Sequence, residues 1–321
     1  MSGKDKTLVT GANGFVGSAL CCRLQEKKWP VKALMRSSRG INNNIFFDAA
    51  SIGDIGNDSE LKGILKGIHT VIHLAARVHV MKETVSDSLR EFRKVNVEVT
   101  TELANASAKE GIKRFIYLST IKVNGDKTFD KPFSADDQAD PTDPYAISKW
   151  EAEQRLHEIG RNTGMEIVVV RPPLVYGRGV KGNFLRLLEM VNKGAVFPLA
   201  NVKNKRSMIA IDNLVDFLIC CVAHPAAVNE TFFISDDDDL STPQLIGLLA
   251  KHLDKSVRLM PFPLWALKGC ATLLGKKNIV ERLCGSLQID ITKAKKLLDW
   301  QPSVSVDEGL MKTVEWYREK S

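Results

Sequence analysis

The first half of the chain alternates short apolar runs with amphipathic stretches. Apolar runs of strand length start at residues 7, 31, 71 and 115, and residues 18–26 carry apolar side chains at helical spacing. Strands that alternate with helices are typical of a parallel sheet covered by helices on both faces. The pattern therefore predicts an α/β protein with a doubly wound parallel sheet that extends to about residue 177.

A glycine-rich turn separates the first apolar run from the first helical stretch. Residues 10–17 read TGANGFVG. In such a turn Gly11 permits the tight bend, Gly14 lets the backbone approach a phosphate, and Gly17 lets the helix pack closely. Because a helix N-terminus attracts anions, the turn predicts a pyrophosphate site for a dinucleotide. An unrelated glycine-rich turn is the alternative for this motif taken alone. The further cofactor contacts expected from this turn are Asn13, Phe15 and Val16.

A tyrosine and a lysine in the middle of the chain form the second motif. Tyr145 and Lys149 are four residues apart, so they share one face of a helix that starts at Asp143 and Pro144. A lysine beside a phenol lowers the pKa of the tyrosine, which suits a general acid or base. On its own, an ordinary surface helix explains this spacing more often. Combined with the glycine-rich turn, it predicts a nicotinamide cofactor and a proton donor that acts on a carbonyl or alcohol.

The two motifs, in this order, resemble the extended branch of the short-chain dehydrogenase/reductase superfamily, the NAD-dependent epimerases, dehydratases and reductases. The resemblance covers nearly the whole chain. The segments that carry it are VIHLAA at 71–76, Asn96, FIYLST at 115–120, RPPLVYG at 171–177, 206–212 and 290–302. It implies a Rossmann-type nucleotide domain of residues 1–177 and about 205–235. A smaller C-terminal α+β substrate lobe would comprise about 178–204 and 236–321.

The resemblance also implies roles for individual residues. Thr120, with Ser119 as second candidate, would be the hydroxyl that assists Tyr145, and Lys149 would hold the nicotinamide ribose. The other expected cofactor contacts are Leu74, Ala75, Ala76, Asn96, Tyr145 and Pro172. The expected substrate contacts are His79, Thr120, Lys122, Asn183 and Arg206.

The end of the second apolar run bears on the choice of cofactor. An NAD-specific fold usually offers an acidic residue there to the ribose hydroxyls, whereas this chain has Arg36 and Arg39. Two arginines could bind a 2′-phosphate by charge-assisted hydrogen bonds. NADP(H) is therefore favoured, NAD(H) stays possible, and a solvated basic loop is the alternative. Asp54 and Ile55 resemble the pair that contacts adenine in the family.

Within the family, the resemblance is strongest to bacterial UDP-glucose 4-epimerase-like proteins, some of which reduce a UDP-4-keto-6-deoxy-N-acetylhexosamine for surface polysaccharide synthesis. Epimerases of the UDP-galactose type usually carry asparagine where this chain has Leu174. We therefore expect a nucleotide-sugar oxidoreductase that acts at sugar C4, with keto reduction ahead of 4-epimerisation. A non-catalytic NADP(H) sensor is the alternative from another class, and the intact Thr120, Tyr145 and Lys149 argue against it.

Charge and cysteine usage narrow the range of partners. The net charge is +7 and the pI about 9.0, yet the basic residues are scattered, so we expect a dianionic nucleotide sugar rather than nucleic acid. The six cysteines form no CxxC pattern, and neither an apolar leader nor a metal-ligand cluster is visible. These features predict free thiols, no metal and a cytoplasmic enzyme.

Two further expectations concern surfaces. The apolar stretch 262–274 is interrupted by Pro263, Lys268 and Gly269 and is too short to span a bilayer. We expect a core helix there, with contact to a membrane surface as the minor alternative. Helices near 89–110 and 145–162 predict a homodimer. The residues expected on their partly apolar outer faces are Val95, Val99, Leu103, Ala146, Trp150 and Leu156. The alternative is that the same positions pack on the sheet.

Overall fold

The computed structural model describes residues 5–35, 48–51, 58–78, 85–273, 275 and 277–320. In these ranges the strands are β1 Thr7–Thr10, β2 Val31–Met35, β3 Asp48–Ser51, β4 Thr70–His73, β5 Arg114–Leu118, β6 Glu166–Arg171, β7 Leu174–Tyr176, β8 Val196–Phe197, β9 Met208–Ala210, β10 Thr231–Phe233 and β11 Arg258–Leu259. The helices are α1 Phe15–Glu26, α2 Asp58–Leu65, α3 Val85–Arg93, α4 Val99–Lys109, α5 Pro144–Thr163, α6 Gly182–Asn192, α7 Ile211–Ala223, α8 Thr242–Leu253, α9 Leu264–Leu273, α10 Lys277–Cys284, α11 Thr292–Leu298 and α12 Val306–Lys320.

The central sheet has the order β10-β6-β5-β4-β1-β2-β3. Every neighbouring pair in it is parallel. From β1 the chain runs outward to β2 and β3 on one side, and β4, β5 and β6 then follow on the other. The strand order thus reverses between β1 and β4, and ligands of such sheets bind beyond the carboxyl ends of the strands at this reversal. The predicted doubly wound parallel sheet is confirmed.

Successive residues of each central strand face opposite layers of helices. Val9 and Ile72 belong to a core shared with α1 and α7, whereas Leu8 and Val71 belong to a core shared with α2, α4 and α5. Since both faces are covered, these strands are apolar throughout rather than alternating. A third apolar cluster, which includes Phe184, lies among α6, α8 and α12 in the C-terminal part. The division into the two predicted domains stays an interpretation.

The predicted outer faces of α4 and α5 need correction. Leu103, Ala146 and Leu156 are buried within the chain itself, and Leu103 and Leu156 pack in the core that the sheet shares with α2, α4 and α5. On the outer side, the Arg93 guanidinium instead binds the carboxylate of Glu151 through two nitrogens. The homodimer itself stays a prediction, and its test is sedimentation of the purified protein.

The core-helix expectation for residues 262–274 is wrong for the outward face of α9. Trp265 is 79% exposed and Leu273 is 89% exposed, whereas Leu267 is half-buried against the third cluster. Apolar periodicity predicts the helix, but it does not show whether another element covers the side of α9 that faces away from the third cluster. Among the described residues, no helix combines the length and apolarity that crossing a bilayer requires.

Candidate active site

The glycine-rich turn between β1 and α1 is held by close backbone contacts. Gly11 has φ +66°, and a Cβ there would lie 2.8 Å from the backbone nitrogen of Ala75. A Cβ on Gly17 would lie 2.1 Å from the carbonyl oxygen of Gly11. Both positions therefore require glycine for the fold itself.

Gly14 differs from the other two glycines of this turn. Among the described residues, the position of its missing Cβ meets only the Gly11 carbonyl oxygen, 3.0 Å away. Gly14 caps α1 without a side-chain hydrogen bond, and the first turn of α1 holds no acidic residue. The first N–H groups of a helix have no intrahelical acceptor, so this end of α1 can accept an anion.

A buried row of hydroxyl and imidazole groups ties β1 to β4. Thr10 Oγ1 accepts hydrogen bonds from the backbone N–H groups of Leu74 and Ala75, at 3.2 Å each. It also contacts Nδ1 of His73 at 2.7 Å, and Nε2 of His73 contacts Thr100 Oγ1 at 3.0 Å. Burial, and then Lys149, lowers the pKa of His73 to about 3, so its imidazole is neutral. The row fixes the loop after β4, where the sequence predicted cofactor contacts.

Asn96 fixes the same loop from the other side. It lies in a π-helical turn, Lys94–Glu98, and is buried. Its Oδ1 accepts from the Arg77 N–H at 2.8 Å, and its Nδ2 donates to the Arg77 carbonyl at 3.2 Å and to Ser148 Oγ at 3.0 Å. Ser148 Oγ in turn donates to the Tyr145 carbonyl oxygen at 2.8 Å. Asn96 therefore positions the loop and the start of α5, and its amide is engaged with protein groups.

Tyr145 is the second residue of α5. Asp143 caps this helix by accepting the Ala146 N–H at 2.7 Å, and Pro144 stands at its first position. The half-buried Tyr145 ring packs edge-on against Phe92, with 5.9 Å between centroids. Burial, followed by the charge of Asp143, raises the pKa of Tyr145 above its usual value. The net lowering toward working pH that the sequence predicted is therefore wrong for this structure, because burial dominates.

Lys149 lies one turn further along α5 and is 2% exposed. Its Nζ donates to the Leu118 carbonyl oxygen at 2.8 Å and stands 4.4 Å from the centroid of the Tyr117 ring. Burial lowers the pKa of Lys149 to about 7, and the charge of Glu153 opposes this shift. The ammonium is thus oriented by the end of β5 rather than by the Tyr145 phenol.

The two hydroxyl candidates after β5 have different surroundings. Ser119 is buried and its Oγ donates to the Glu153 carboxylate. Thr120 is half-buried and its Oγ1 accepts from the Lys122 N–H at 3.4 Å, which leaves its own hydrogen to donate. The geometry thus favours Thr120 over Ser119 for a contact with substrate.

Glu153 and Arg171 form a buried ion pair behind this site. The Arg171 Nε donates to Glu153 at 3.0 Å, a second guanidinium nitrogen also binds Glu153, and Nη1 donates to Asn124 Oδ1 at 2.7 Å. The pair joins β6, α5 and the segment after β5, so it holds Ser119 and Lys149 in place. Sequence reasoning did not identify Glu153, although it lies one helical turn beyond Lys149, on the same face.

Two predicted substrate contacts, Lys122 and Arg206, are engaged with protein groups in this structure. The Lys122 ammonium binds the carboxylates of Asp143 and Asp126, the latter at 3.2 Å. Arg206 Nη1 donates at 3.1 Å to the carbonyl oxygens of Arg282 and Gly285. Burial and the neighbouring charge of Arg282 lower the pKa of Arg206. The Arg282 charge therefore acts on Arg206, and Arg282 is a second cation that the sequence reading missed.

The remaining predicted residues are distributed as follows. Asn183 is exposed in the first turn of α6, and the carbonyl oxygen of buried Pro172 accepts the Ile121 N–H at 3.0 Å. Phe15 at the start of α1 and Ala76 after β4 are half-buried. The predicted residues outside the described part of the chain are Arg36, Arg39, Asp54, Ile55 and His79.

Comparison with known proteins gives consistent matches. A family model described as "NAD dependent epimerase/dehydratase family" matches residues 7–235. UDP-glucose 4-epimerase of Vibrio cholerae is 40% identical over 311 residues, covering 96% of this chain and 94% of that protein. N-acetyl-alpha-D-glucosaminyl-diphospho-ditrans,octacis-undecaprenol 4-epimerase of Escherichia coli O157:H7 is 29% identical over 329 residues, with coverage of 97% and 95%.

Two solved structures have the same fold. The UDP-glucose 4-epimerase of Thermotoga maritima, solved with UDP-glucose, has a TM-score of 0.77 and 27% identity, covering 98% of this chain and 99% of that one. The UDP-glucuronic acid 4-epimerase of Bacillus cereus, solved with NAD, has a TM-score of 0.79 and 23% identity, with coverage of 98% and 99%. At that identity, the second similarity concerns the fold alone.

Proposed function

The chain belongs to the NAD dependent epimerase/dehydratase family, and we propose that it interconverts nucleotide sugars that differ in configuration at C4. The observation that carries the proposal is the arrangement at the carboxyl edge of the sheet. Tyr145 and the buried Lys149 share one face of α5, and Thr120 follows the neighbouring β5. The similarity to the Vibrio cholerae enzyme favours epimerisation, which reverses the order expected from sequence.

The glycine-rich turn suits the pyrophosphate of a nicotinamide dinucleotide. Gly14 leaves the N-terminus of α1 uncovered, and no acidic side chain of the first turn repels an anion. In this proposal Leu74 and Ala75 line the cofactor through the loop that Thr10 holds. Lys149 supplies a cation for the ribose hydroxyls.

The family is NAD-dependent, and a preference for NADP(H) is the finer proposal. It rests on Arg36 and Arg39, whose guanidinium groups suit a 2′-phosphate. The variant Arg36→Asp tests it, because a carboxylate repels the 2′-phosphate. We expect the Kd for NADPH, measured by fluorescence titration, to rise at least tenfold more than the Kd for NADH. Equal changes in the two Kd values would remove Arg36 from cofactor selection.

In the proposed reaction Tyr145 exchanges a proton with the C4 oxygen of the sugar. Its phenolate oxygen removes the C4 hydroxyl proton as the C–O bond becomes a carbonyl, and returns a proton when the opposite face of C4 is reduced. A nicotinamide held at the glycine-rich turn would supply reversible hydride exchange with C4. Thr120 donates a hydrogen bond to the C4 oxygen and steadies its negative charge in each direction.

In this proposal Lys149 offsets part of the effect of burial on the Tyr145 phenol. The Tyr145 phenol alone is a poor base, because burial and Asp143 raise its pKa. A protonated Lys149 on the same helix face favours the phenolate. Glu153 keeps Lys149 more readily protonated than burial alone would allow. The buried carboxylate therefore supports the base indirectly, as a positioning residue.

Arg206 and Arg282 are proposed to hold the diphosphate of the nucleotide sugar. Two neighbouring guanidinium groups match the charge and geometry of phosphate oxygens. Binding energy gained there, remote from C4, orients the sugar at the reacting groups. Asn183 and Lys122 border the same cleft in this proposal.

Reduction of a 4-keto sugar is the second candidate. Leu174, 43% exposed, stands where epimerases of the UDP-galactose type usually carry asparagine, so an amide contact to uridine is absent at this side chain. A reductase would consume one equivalent of NADPH per sugar, whereas an epimerase leaves the total nicotinamide absorbance unchanged. A sensor would do neither.

Nuclear magnetic resonance of sugar mixtures tests the proposal. The protein is incubated separately with UDP-glucose and UDP-N-acetylglucosamine, each with catalytic NAD⁺ and, in a parallel series, with catalytic NADP⁺. We expect the C4 epimer of at least one sugar to accumulate to equilibrium, with no net change in nicotinamide absorbance. Stoichiometric NADPH oxidation with a UDP-4-keto sugar, without any epimer from these sugars, would instead establish the reductase.

A further inference from the structure

We propose that the segment from Arg258 to Leu273 docks the C-terminal part of the protein on an anionic lipid bilayer. The segment consists of β11, a proline-containing connection and α9. It has large exposed apolar side chains beside basic residues. The proposal concerns a binding surface and is independent of the reaction at C4.

The apolar part of this surface, named here the apolar patch, comprises Met260, Phe262, Leu264, Trp265 and Leu273. Trp265 and Leu273 are mostly exposed, Met260 is 54% exposed, and Phe262 and Leu264 are just over one-third exposed. Single exposed apolar residues are ordinary on protein surfaces, whereas several on one short segment mark an interaction site.

The protein holds this segment against its own core, which makes the patch a supported surface. β11 pairs in parallel with β8, and the Met260 N–H donates to the Phe197 carbonyl oxygen at 2.9 Å. Leu259 and Leu267 pack against the third apolar cluster. One side of the segment is therefore anchored, and the other side presents the patch.

The sequence on and beside this segment is basic, which favours an anionic partner. Residues 255–280 contain five lysines and arginines and no aspartate or glutamate, so they carry +5 of the chain's net +7. Lys255 and Arg258 are exposed at the start of this stretch. Basic residues next to a bilayer gain free energy from anionic headgroups, and this gain falls as salt screens the charges.

The apolar residue types favour lipid over an acidic protein partner. Tryptophan and phenylalanine are enriched at the boundary between headgroups and acyl chains, where one part of the ring is apolar and another meets polar groups. A short helix with Trp and Leu on one side and basic residues around it is typical of segments that lie in a membrane interface. An acidic protein surface would satisfy the lysines but would not require the large aliphatic and aromatic side chains.

Vesicle flotation with the full-length protein tests the proposal. The vesicles contain either phosphatidylcholine alone or phosphatidylcholine with phosphatidylglycerol. We expect flotation only with the anionic vesicles, weakened by added salt, and at least tenfold weaker binding for the double variant Trp265→Ser, Leu273→Ser. Both side chains are exposed, so the fold should tolerate the change.

Phe129→Ser is the matched control. Phe129 is 77% exposed and the Lys127 ammonium stands 5.1 Å from its ring centroid, yet it lies outside the apolar patch. Its vesicle binding should equal that of the unmodified protein. Tryptophan emission adds a second measurement, because a blue shift with anionic vesicles should disappear in Trp265→Phe.

Three results would overturn the proposal. One is the absence of flotation with anionic vesicles, and another is equal binding to neutral and anionic vesicles. The third is a double variant that binds vesicles normally but sediments at a lower mass than the unmodified protein. That last result would assign the apolar patch to a contact between copies of the chain.

Discussion

The carboxyl edge of the sheet and the apolar patch are unusual in opposite ways: the first buries charge, and the second exposes apolar side chains. At the sheet edge, Lys149, Glu153 and Arg171 bury charge, and each is hydrogen-bonded within the protein. At the apolar patch, Trp265 and Leu273 expose apolar surface that folding could have covered. Both arrangements cost stability, because charge leaves water in one and apolar area stays in water in the other. Departures of this kind mark function.

The two regions also differ in how firmly they are held. The sheet edge is a connected network in which loss of one group leaves another buried and unpaired. The apolar patch is anchored on one side only, so substitutions there should leave the fold intact and change binding alone. Variants at the sheet edge should therefore alter kcat or the free energy of unfolding, and the predictions below test this.

The largest effect is expected from Tyr145→Phe. Loss of the phenolic hydroxyl removes the proton acceptor at C4, so kcat should fall by about two to four orders of magnitude. Cofactor affinity, measured by calorimetry, should change little because the ring contact with Phe92 is kept. The control is Tyr117→Phe, which keeps the ring beside the Lys149 ammonium and removes a buried hydroxyl outside the proposed contacts with C4, so kcat should stay within a few-fold. Near-normal turnover in Tyr145→Phe would exclude this residue from the chemistry.

A smaller effect should separate the two hydroxyls after β5. Thr120→Ala should lower kcat by about 10²-fold with little loss of stability, because a donor to the C4 oxygen is lost. Ser119→Ala should instead lower the free energy of unfolding by about 1–3 kcal/mol, because Glu153 loses a buried donor. Denaturant unfolding and steady-state kinetics on both variants make the measurement. If the two variants exchange these behaviours, the assignment of Thr120 is wrong.

The motifs allowed much of this edge to be predicted from sequence. The glycine-rich turn, the order of β1 and α1, and the common face of Tyr145 and Lys149 follow from local spacing. The pairing of Ser119 with Glu153, and of Glu153 with Arg171, joins residues far apart in the chain. Only the packing of β5, β6 and α5 brings them together, so no local pattern contains it.

Electrostatics was the other part that local spacing could not provide. A lysine four residues after a tyrosine predicted a lowered tyrosine pKa. Burial instead raises the pKa of Tyr145, and the Lys149 ammonium donates to the Leu118 carbonyl oxygen. The same limit applied to α9, since helical periodicity identified the helix but not its missing cover. In both cases the outcome depends on what surrounds a side chain in three dimensions.

The smallest predicted effect is a pH dependence set by Lys149. Burial lowers its pKa to about 7 in the free protein, so the supporting ammonium is present below that pH and lost above it. We expect kcat/KM, measured with the cofactor as the varied ligand, to fall by about tenfold per pH unit above about pH 7, because this parameter reports the free protein. Lys149→Arg keeps its charge over this range, so its profile should lack this limb, at lower activity. An unchanged limb in that variant would assign the titration to another group.

The central claim is that C4 itself is oxidised and then reduced. A nucleotide sugar deuterated at C4 tests it most directly, with the epimer analysed by nuclear magnetic resonance in ordinary water. The account predicts that the epimer keeps deuterium at C4 and forms more slowly than from the unlabelled sugar, because the hydrogen is carried by the cofactor. Replacement of that deuterium by hydrogen from water would contradict the account, since C4 would then be inverted by proton exchange with solvent.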